Sequence, residues 1–258
     1  MTTWLVWGYD RSVDHEKPAS NRSAGSRQPN QGISTYNEKS LHAALKAWYA
    51  QPGDEIEVPV DGFVIDIVRG SLLVEIQTRN FSALKRKLGQ LVERHPVRLI
   101  YPIAQEKWLL RLAEDGKTSL GRRKSPKRGS YLQVFEELVS FPGLLTRTNF
   151  ALELLLIQEE EIRRRSQKRR WRRKGWVTEE RRLLEVVEQR RIETPAELVS
   201  LLPPFPEGPF TTSDLARTLN KPRRFAQKAA YCLREMGVIE ARGKQGNAIL
   251  YVVAEAVE

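Results

Sequence analysis

Apolar residues first repeat at helical spacing from about Thr35, where Leu41, Ala44, Leu45 and Trp48 form one stripe behind the capping types Ser34, Thr35 and Asn37, and Pro52 and Gly53 end it. Three short extended segments follow, Glu55 to Val60, Phe63 to Val68 and Leu72 to Thr78. They are separated by Asp61-Gly62 and by Arg69-Gly70-Ser71, both of them hairpin-turn chemistry. Phe81, Leu84, Leu88 and Leu91 predict a second amphipathic helix running to about Arg94, and Val97 to Tyr101 predicts a strand ending before Pro102. The order is helix, three strands, helix, strand. Beyond it the pattern predicts a strand over Lys107 to Leu112, a basic loop over Lys117 to Gly129 and a helix over Tyr131 to Val139, while the run Phe150 to Ile157 fits a strand or a buried helix equally well. Thr178, Glu179, Glu180 and Arg181 look like a capping box opening a helix to about Gln189, and Pro203, Pro204, Pro206 and Pro209 punctuate a linker.

These patterns divide the 258 residues into a flexible N-terminal segment, 1–34, an α/β domain, 35–157, a basic segment with a helix and a Pro-rich linker, 158–207, and a small C-terminal domain, 208–258. The first segment is rich in Ser, Asn, Arg, Gln and Gly and has too little apolar surface to offset the entropy of ordering. The longest apolar runs, such as Ala151 to Ile157, fall far short of the roughly 18 to 20 residues of a membrane span. The apolar stretch Trp4 to Trp7 is too short for a signal-peptide core, so a soluble, cytoplasmic protein with no membrane partner is expected. One cysteine, Cys232, excludes an internal disulfide and a cysteine-cluster metal site.

Forty-three Lys and Arg against thirty-two Asp and Glu give a net charge of +11, which favours a polyanionic partner. Nine of the twelve residues from Arg163 to Lys174 are Lys or Arg, including Arg169, Arg170, Arg172 and Arg173, with Trp171 inside the run and Trp176 beyond it. Such a run binds phosphates and steepens the salt dependence of binding, or is a solvated surface segment; the tryptophans stack on bases or belong to the core.

The most informative constellation is a strand pair bearing Asp66 on one strand and Glu75 and Gln77 on the next. Residues two apart point to the same face, so Glu75 and Gln77 look the same way from a segment otherwise rich in apolar residues. A carboxylate there is either solvated on an open sheet face or compensated by a cation, because an unpaired buried charge is costly. Two carboxylates, a carbonyl and a phosphate oxygen would suit Mg²⁺, with Mn²⁺ as a substitute. The run from Asp66 through Glu75 and Gln77 to Arg79, preceded by a helix bearing Glu38, resembles the PD-(D/E)xK nucleases over about residues 35 to 103, particularly the Holliday-junction-resolvase and restriction-endonuclease-like branch. The resemblance implies an αβββαβ core in which Glu38, Asp66 and Glu75 hold the metal, with Gln77 in the position of the lysine that places the nucleophilic water. Gln brings no positive charge; Lys85 or Arg79 is then the candidate replacement. An acid in the first helical turn, such as Glu38, is also favoured by the helix dipole, and Asp61 reads most simply as a turn residue.

From Phe210 the sequence resembles a winged helix-turn-helix domain, mainly helical. Ser213 caps a first helix carrying Leu215, Ala216 and Leu219. Asn220 and Lys221 make the turn, and Pro222 opens a second helix with the inward stripe Phe225, Ala229, Cys232, Leu233 and Met236. Arg223, Arg224, Gln227, Lys228 and Tyr231 face outward, as types that reach phosphates and base edges, and a two-stranded wing carries Arg242 and Lys244. Such a domain also serves protein contacts. Together these features predict a metal-dependent DNA endonuclease targeted by a basic module. The alternative is a catalytically inactive nuclease-fold DNA-binding protein acting as a regulator or targeting subunit. RNA is not set apart from DNA by charge alone, and a homodimer or partner proteins are compatible with either reading.

Overall fold

The computed structural model describes residues 36–165 and 175–254, with side chains from residue 40 onward. The expected flexible segment 1–34, Trp171, the arginines at 169, 170, 172 and 173, and the side chain of Glu38 lie outside the described residues. The protein is α/β, built on a mixed seven-stranded sheet. Helix α1 (Tyr36–Tyr49) precedes a meander of β1 (Glu55–Val60), β2 (Phe63–Arg69) and β3 (Leu72–Ile76). A 3-10 turn leads into α2 (Lys85–Leu91), which carries the chain over to β4 (Val97–Leu112). Strand β5 (Ser119–Lys124) folds back on β4, and after the short helix α3 (Phe135–Leu138) the strands β6 (Phe150–Arg165) and β7 (Trp176–Ile192) complete the sheet. The order is β1-β2-β3-β4-β6-β7, with β3, β4 and β6 mutually parallel and β5 on the same edge of β4 as β3.

Helix α1 covers one face. Leu41, Leu45 and Tyr49 pack on Ile67, Val74, Ile76, Ile100, Leu155 and Ile157. The inward stripe therefore runs through Tyr49, and Trp48, expected in it, is 45% exposed. The other face carries α2, α3 and the C-terminal elements over a larger core that includes Phe81, Leu88, Leu99 and Leu152. Strand β6 lies between β4 and β7 and is buried on both faces, Leu152, Leu154 and Leu156 on one side and Leu155 and Ile157 on the other. Its continuous apolar run is that of a central strand, which settles the choice between strand and helix.

Strand β4 replaces the two strands expected on either side of Pro102. The carbonyls of Ile100 and Ala104 both face the edge that β3 has left, accepting from Gln77 and Gly129. The N–H that Pro102 lacks would point to that same edge, so the ladder to β6 is intact. The expected loop over Lys117 to Gly129 contains β5, paired with Trp108 to Leu112. The helix expected over Thr178 to Gln189 is instead β7, paired with β6 along its whole length. Bulges near Leu156 and Gln158 set Val186 and Leu183 opposite Ile157 and Glu159, so two apolar residues three apart share the α1 side. That spacing imitates a helix in the sequence.

After β7, α4 (Pro195–Val199) begins with a Thr194–Glu197 capping box. The C-terminal residues form α5 (Thr212–Thr218), α6 (Arg223–Glu235) and an antiparallel hairpin of β8 (Ile239–Gln245) and β9 (Ala248–Val253). Thr211 rather than Ser213 caps α5, in a reciprocal box with Asp214, and Pro222 is the N-cap of α6 rather than its first residue. Phe225 of α6 meets Phe135 of α3 edge to face at 6.4 Å, and the core runs unbroken from Leu88 and Leu152 to Cys232 and Leu233. The described residues fall in one compact unit. No described helix is long and apolar enough to cross a membrane.

Candidate acid site and basic surfaces

The β-ladder gives way around Asp66. Pairing of β2 with β3 stops at Ile67 and Val74, and the rung that would join Asp66 to Glu57 is missing, with Glu57 at φ 56°. Asp66 uses its side chain in place of the ladder, since its Oδ2 accepts from the Ile76 N–H at 2.9 Å. This substitution of side chain for ladder rotates the strand locally, so Ile65 and Ile67, two residues apart, enter different cores. The two acids expected together are therefore held together by the bond from Asp66 to the residue that follows Glu75.

Each acid also meets a cation. His42 Nε2 lies 3.1 Å and Lys46 Nζ 3.7 Å from the Asp66 carboxylate, and Lys46 also bonds Glu57 at 2.5 Å. Burial pushes the Asp66 carboxyl up, but the bonds from His42 and Ile76 outweigh it and hold the group below the ordinary aspartate value. The same bond to Asp66 raises His42. Glu75 is 4% exposed and is pushed up to about 7 by burial and by the neighbouring Asp66 charge. Lys87 Nζ touches Glu75 Oε1 off the hydrogen-bond direction and donates to the Val64 carbonyl at 2.5 Å.

Gln77 continues β3, its N–H bonded to Ile100, and its Nε2 donates to the carbonyls of Arg79 at 2.6 Å and Asn80 at 3.2 Å. It braces the turn at left-handed Asn80. His42, Gln77, Thr78, Arg79, Asn80 and Ala83 line a cavity of about 460 Å³ beside the acid pair. Glu38 stands one turn before His42 in α1. Asp61 is a left-handed turn residue, bonded to His95 at 3.0 Å.

The residues that sequence reasoning missed are Lys87, Lys46 and His42. Leu84, Lys87, Leu88 and Leu91 share one helical stripe, so a lysine at an inward position was the available signal. Lys85 is exposed at the start of α2.

Among the described residues no three His, Cys, Asp or Glu side chains gather closely enough to hold a metal. The fit for Mg²⁺ therefore rests on two hard oxygen donors, Asp66 and Glu75, one of them buried and still partly protonated near neutral pH. Mg²⁺ commonly takes one or two protein carboxylates and completes its shell with water and substrate phosphate, so the pair fits a shared site rather than a preformed cage.

On α6, Arg223, Arg224, Gln227 and Tyr231 are exposed, whereas Lys228 is bound to the Glu136 carboxylate and carbonyl on α3. Arg242 on the hairpin bonds Glu240 of its own strand, and Lys244 is exposed. The Arg111 guanidinium lies over the Trp176 ring at 5.1 Å, which occupies one face of that ring.

A family model described as a domain of unknown function, DUF8091, matches residues 39–193, the stretch that holds the whole sheet and the acid pair. An uncharacterized protein of Treponema pallidum (strain Nichols) is 33% identical over 221 residues, covering 85% of this chain and 86% of its own length. No solved structure matches the chain significantly. By the extent of both matches, the chain belongs to the DUF8091 family.

Proposed function

We propose that the protein is a metal-dependent DNA endonuclease on a PD-(D/E)xK-type core. The observation that carries this reading is the pair Asp66 and Glu75 at the carboxyl end of β3, joined through the Asp66 bond to the Ile76 N–H, within an α1-β1-β2-β3-α2-β4 order whose last two strands are parallel. Asp66 and Glu75 would hold Mg²⁺, with Glu38 of α1 as the third acid, and the ion when bound would acidify water and offset phosphate charge. Lys87 brings an ammonium to Glu75, supplying the charge that Gln77 lacks. His42 orients the Asp66 carboxylate, and Gln77 shapes the cavity wall by bracing Arg79 and Asn80. Residues 210–253 have the element order of a winged helix, with Arg223, Arg224, Gln227 and Tyr231 outward for DNA.

The test is incubation with supercoiled, linear and branched DNA in Mg²⁺, Mn²⁺ or chelator, beside an Asp66→Ala/Glu75→Ala protein and a Lys87→Met protein, with Mg²⁺ binding followed by calorimetry. Metal-dependent cleavage lost in both variants, and calorimetric binding lost in the double variant, is expected; cleavage that survives Asp66→Ala/Glu75→Ala overturns the assignment. A second reading, a DNA-binding protein without chemistry, is favoured by one observation: Lys46 and His42 at Asp66, and Lys87 at Glu75, already balance both carboxylates without a metal. Retarded but uncut DNA in every metal condition would select it.

A further inference from the structure

Strand β3 stops at Ile76, level with Ile100, but its parallel neighbour β4 continues twelve residues further to Leu112, about 40 Å of strand. The edge of β4 that β3 leaves is taken by the chain from 119 to 129. Strand β5 pairs with Trp108 to Leu112, the Ser125 N–H bonds the Lys107 carbonyl at 2.7 Å, and the Gly129 N–H bonds the Ala104 carbonyl at 3.1 Å. The segment thus runs from the far end of the ribbon to within four residues, about 13 Å, of the level at which the acid pair sits.

That segment is cationic throughout. Lys117, Arg122, Arg123, Lys124, Lys127 and Arg128 fall within twelve residues that contain no acid, and all six are exposed. Three acids meet it: Glu106 takes Lys124 and Arg128, Glu160 takes Arg122, and the Asp115 carboxylate accepts from the Lys117 N–H and lies near the Lys117 charge. Lys117, Arg123 and Lys127 make no ion pair among the described residues, so against those three acids three positive charges are in excess along an edge strand. A folded ribbon has no need of such an excess, and it repels itself unless a polyanion covers it. The aromatic content separates the two kinds of nucleic acid. Trp108, the tryptophan on this ribbon edge, has Arg122 over its ring at 5.3 Å and Lys124 at 5.0 Å. It braces cations instead of offering a bare ring to unstacked bases, which suits backbone contact rather than single-strand stacking.

We propose that β5 and the turn 125–129 form a rail that follows the phosphate backbone of duplex DNA and leads it to the acid pair. The proposal rests on the DNA reading above and adds its substrate class and a surface distinct from α6. The rail lies along Ala104 to Leu112, roughly 26 Å of strand, which corresponds to about 8 base steps at roughly 3.4 Å each, long enough for several phosphate contacts.

The experiment measures binding of the full chain to a fluorescent duplex of roughly 24 base pairs, and to one of its single strands, across a salt series. It compares wild type, Lys117→Gln/Arg123→Gln/Lys127→Gln, an Arg123→Lys protein that keeps its charge, and Arg223→Gln/Arg224→Gln. The triple variant is expected to bind duplex about 10-fold or more weakly, with a slope of log affinity against log salt shallower by about 2.7, since each of three phosphate contacts contributes roughly 0.9. Arg123→Lys is expected to keep wild-type affinity, and unchanged thermal melting of the triple variant shows that it is folded. Wild-type affinity and slope in the triple variant overturn the rail, while DNA binding lost in Arg223→Gln/Arg224→Gln leaves the DNA reading in place. A loss confined to the single strand overturns the duplex assignment, and a wild-type protein that binds no DNA overturns the rail together with the reading beneath it.

Discussion

Two stretches of the same sheet bury glutamates to a similar depth and treat them in opposite ways. On β6, Glu159 is fully buried and Glu161 is 7% exposed; on β3, Glu75 is 4% exposed. Glu159 receives Lys107 at 2.7 Å and a two-nitrogen grip from Arg181, and Glu161 receives Arg163, Thr178 and Lys107. Burial raises Glu161, but those donors bring it down to about 2. Glu75 has one ammonium and an anion, Asp66, beside it, and stands at about 7. Depth alone therefore says little about a carboxylate. The number of donors less the number of neighbouring anions separates an acid that ties strands together from one that keeps its proton toward neutral pH.

The largest effect that would break this comparison is expected from Arg181→Met, which leaves Glu159 with Lys107 alone. A loss of about 3 to 5 kcal/mol in urea unfolding is expected, as for breaking a buried pair, and a loss below about 1 kcal/mol would show that the ribbon acids are not structural. Glu75→Gln should act in the opposite direction. The folded Glu75 pKa lies above its ordinary 4.5, so the folded protein keeps a proton that the unfolded chain has released, and its contribution to stability falls as pH rises from about 4.5 to about 7. That fall is up to about 3 kcal/mol, and Gln should recover about 1 to 2 of it at pH 8. Glu161 has the reverse sign: its contribution is complete above about 4.5 and is lost as pH falls toward 2. Glu161→Gln should therefore destabilise the protein by about 1 to 3 kcal/mol at pH 7. Carboxyl-carbon NMR should find a Glu75 midpoint near 7 and a Glu161 midpoint near 2, and coincident midpoints would remove the contrast. Gly129→Ala is the mildest probe. A Cβ there would sit 2.4 Å from the Ala104 carbonyl oxygen, at an expected cost of about 1 to 2 kcal/mol, and it should leave the Glu75 midpoint unmoved.

Local chemistry was legible where it was self-contained. The Asp61-Gly62 and Gly70 turns carry the left-handed residues that a meander requires, and they were readable because a turn is decided by a few adjacent residues. The α6 stripe was readable because its residues contact the core at one period. What depended on a distant partner was not. Strand β7 has helix-like spacing and charge, and only fourteen rungs against β6 make it a strand. Of the acid site, Asp66 and Glu75 were found from alternation. The Asp66 bond to the Ile76 N–H was not, because nothing in either strand alone signals a broken ladder. Lys87 lay hidden in an apolar helical stripe, and the lysine position of the resemblance pointed to residue 77 instead.

The unbroken core between the sheet and α6 has a consequence for how the chain is made. Phe135 and Leu138 lie under Phe225 and its neighbours, so a nascent chain that has already emerged through β7 still presents an uncovered apolar face until α6 follows it out. Completion of the fold is thereby deferred to residues translated after the family-matched region has ended. A truncation before residue 210 would produce a sticky, aggregation-prone sheet rather than a self-sufficient domain.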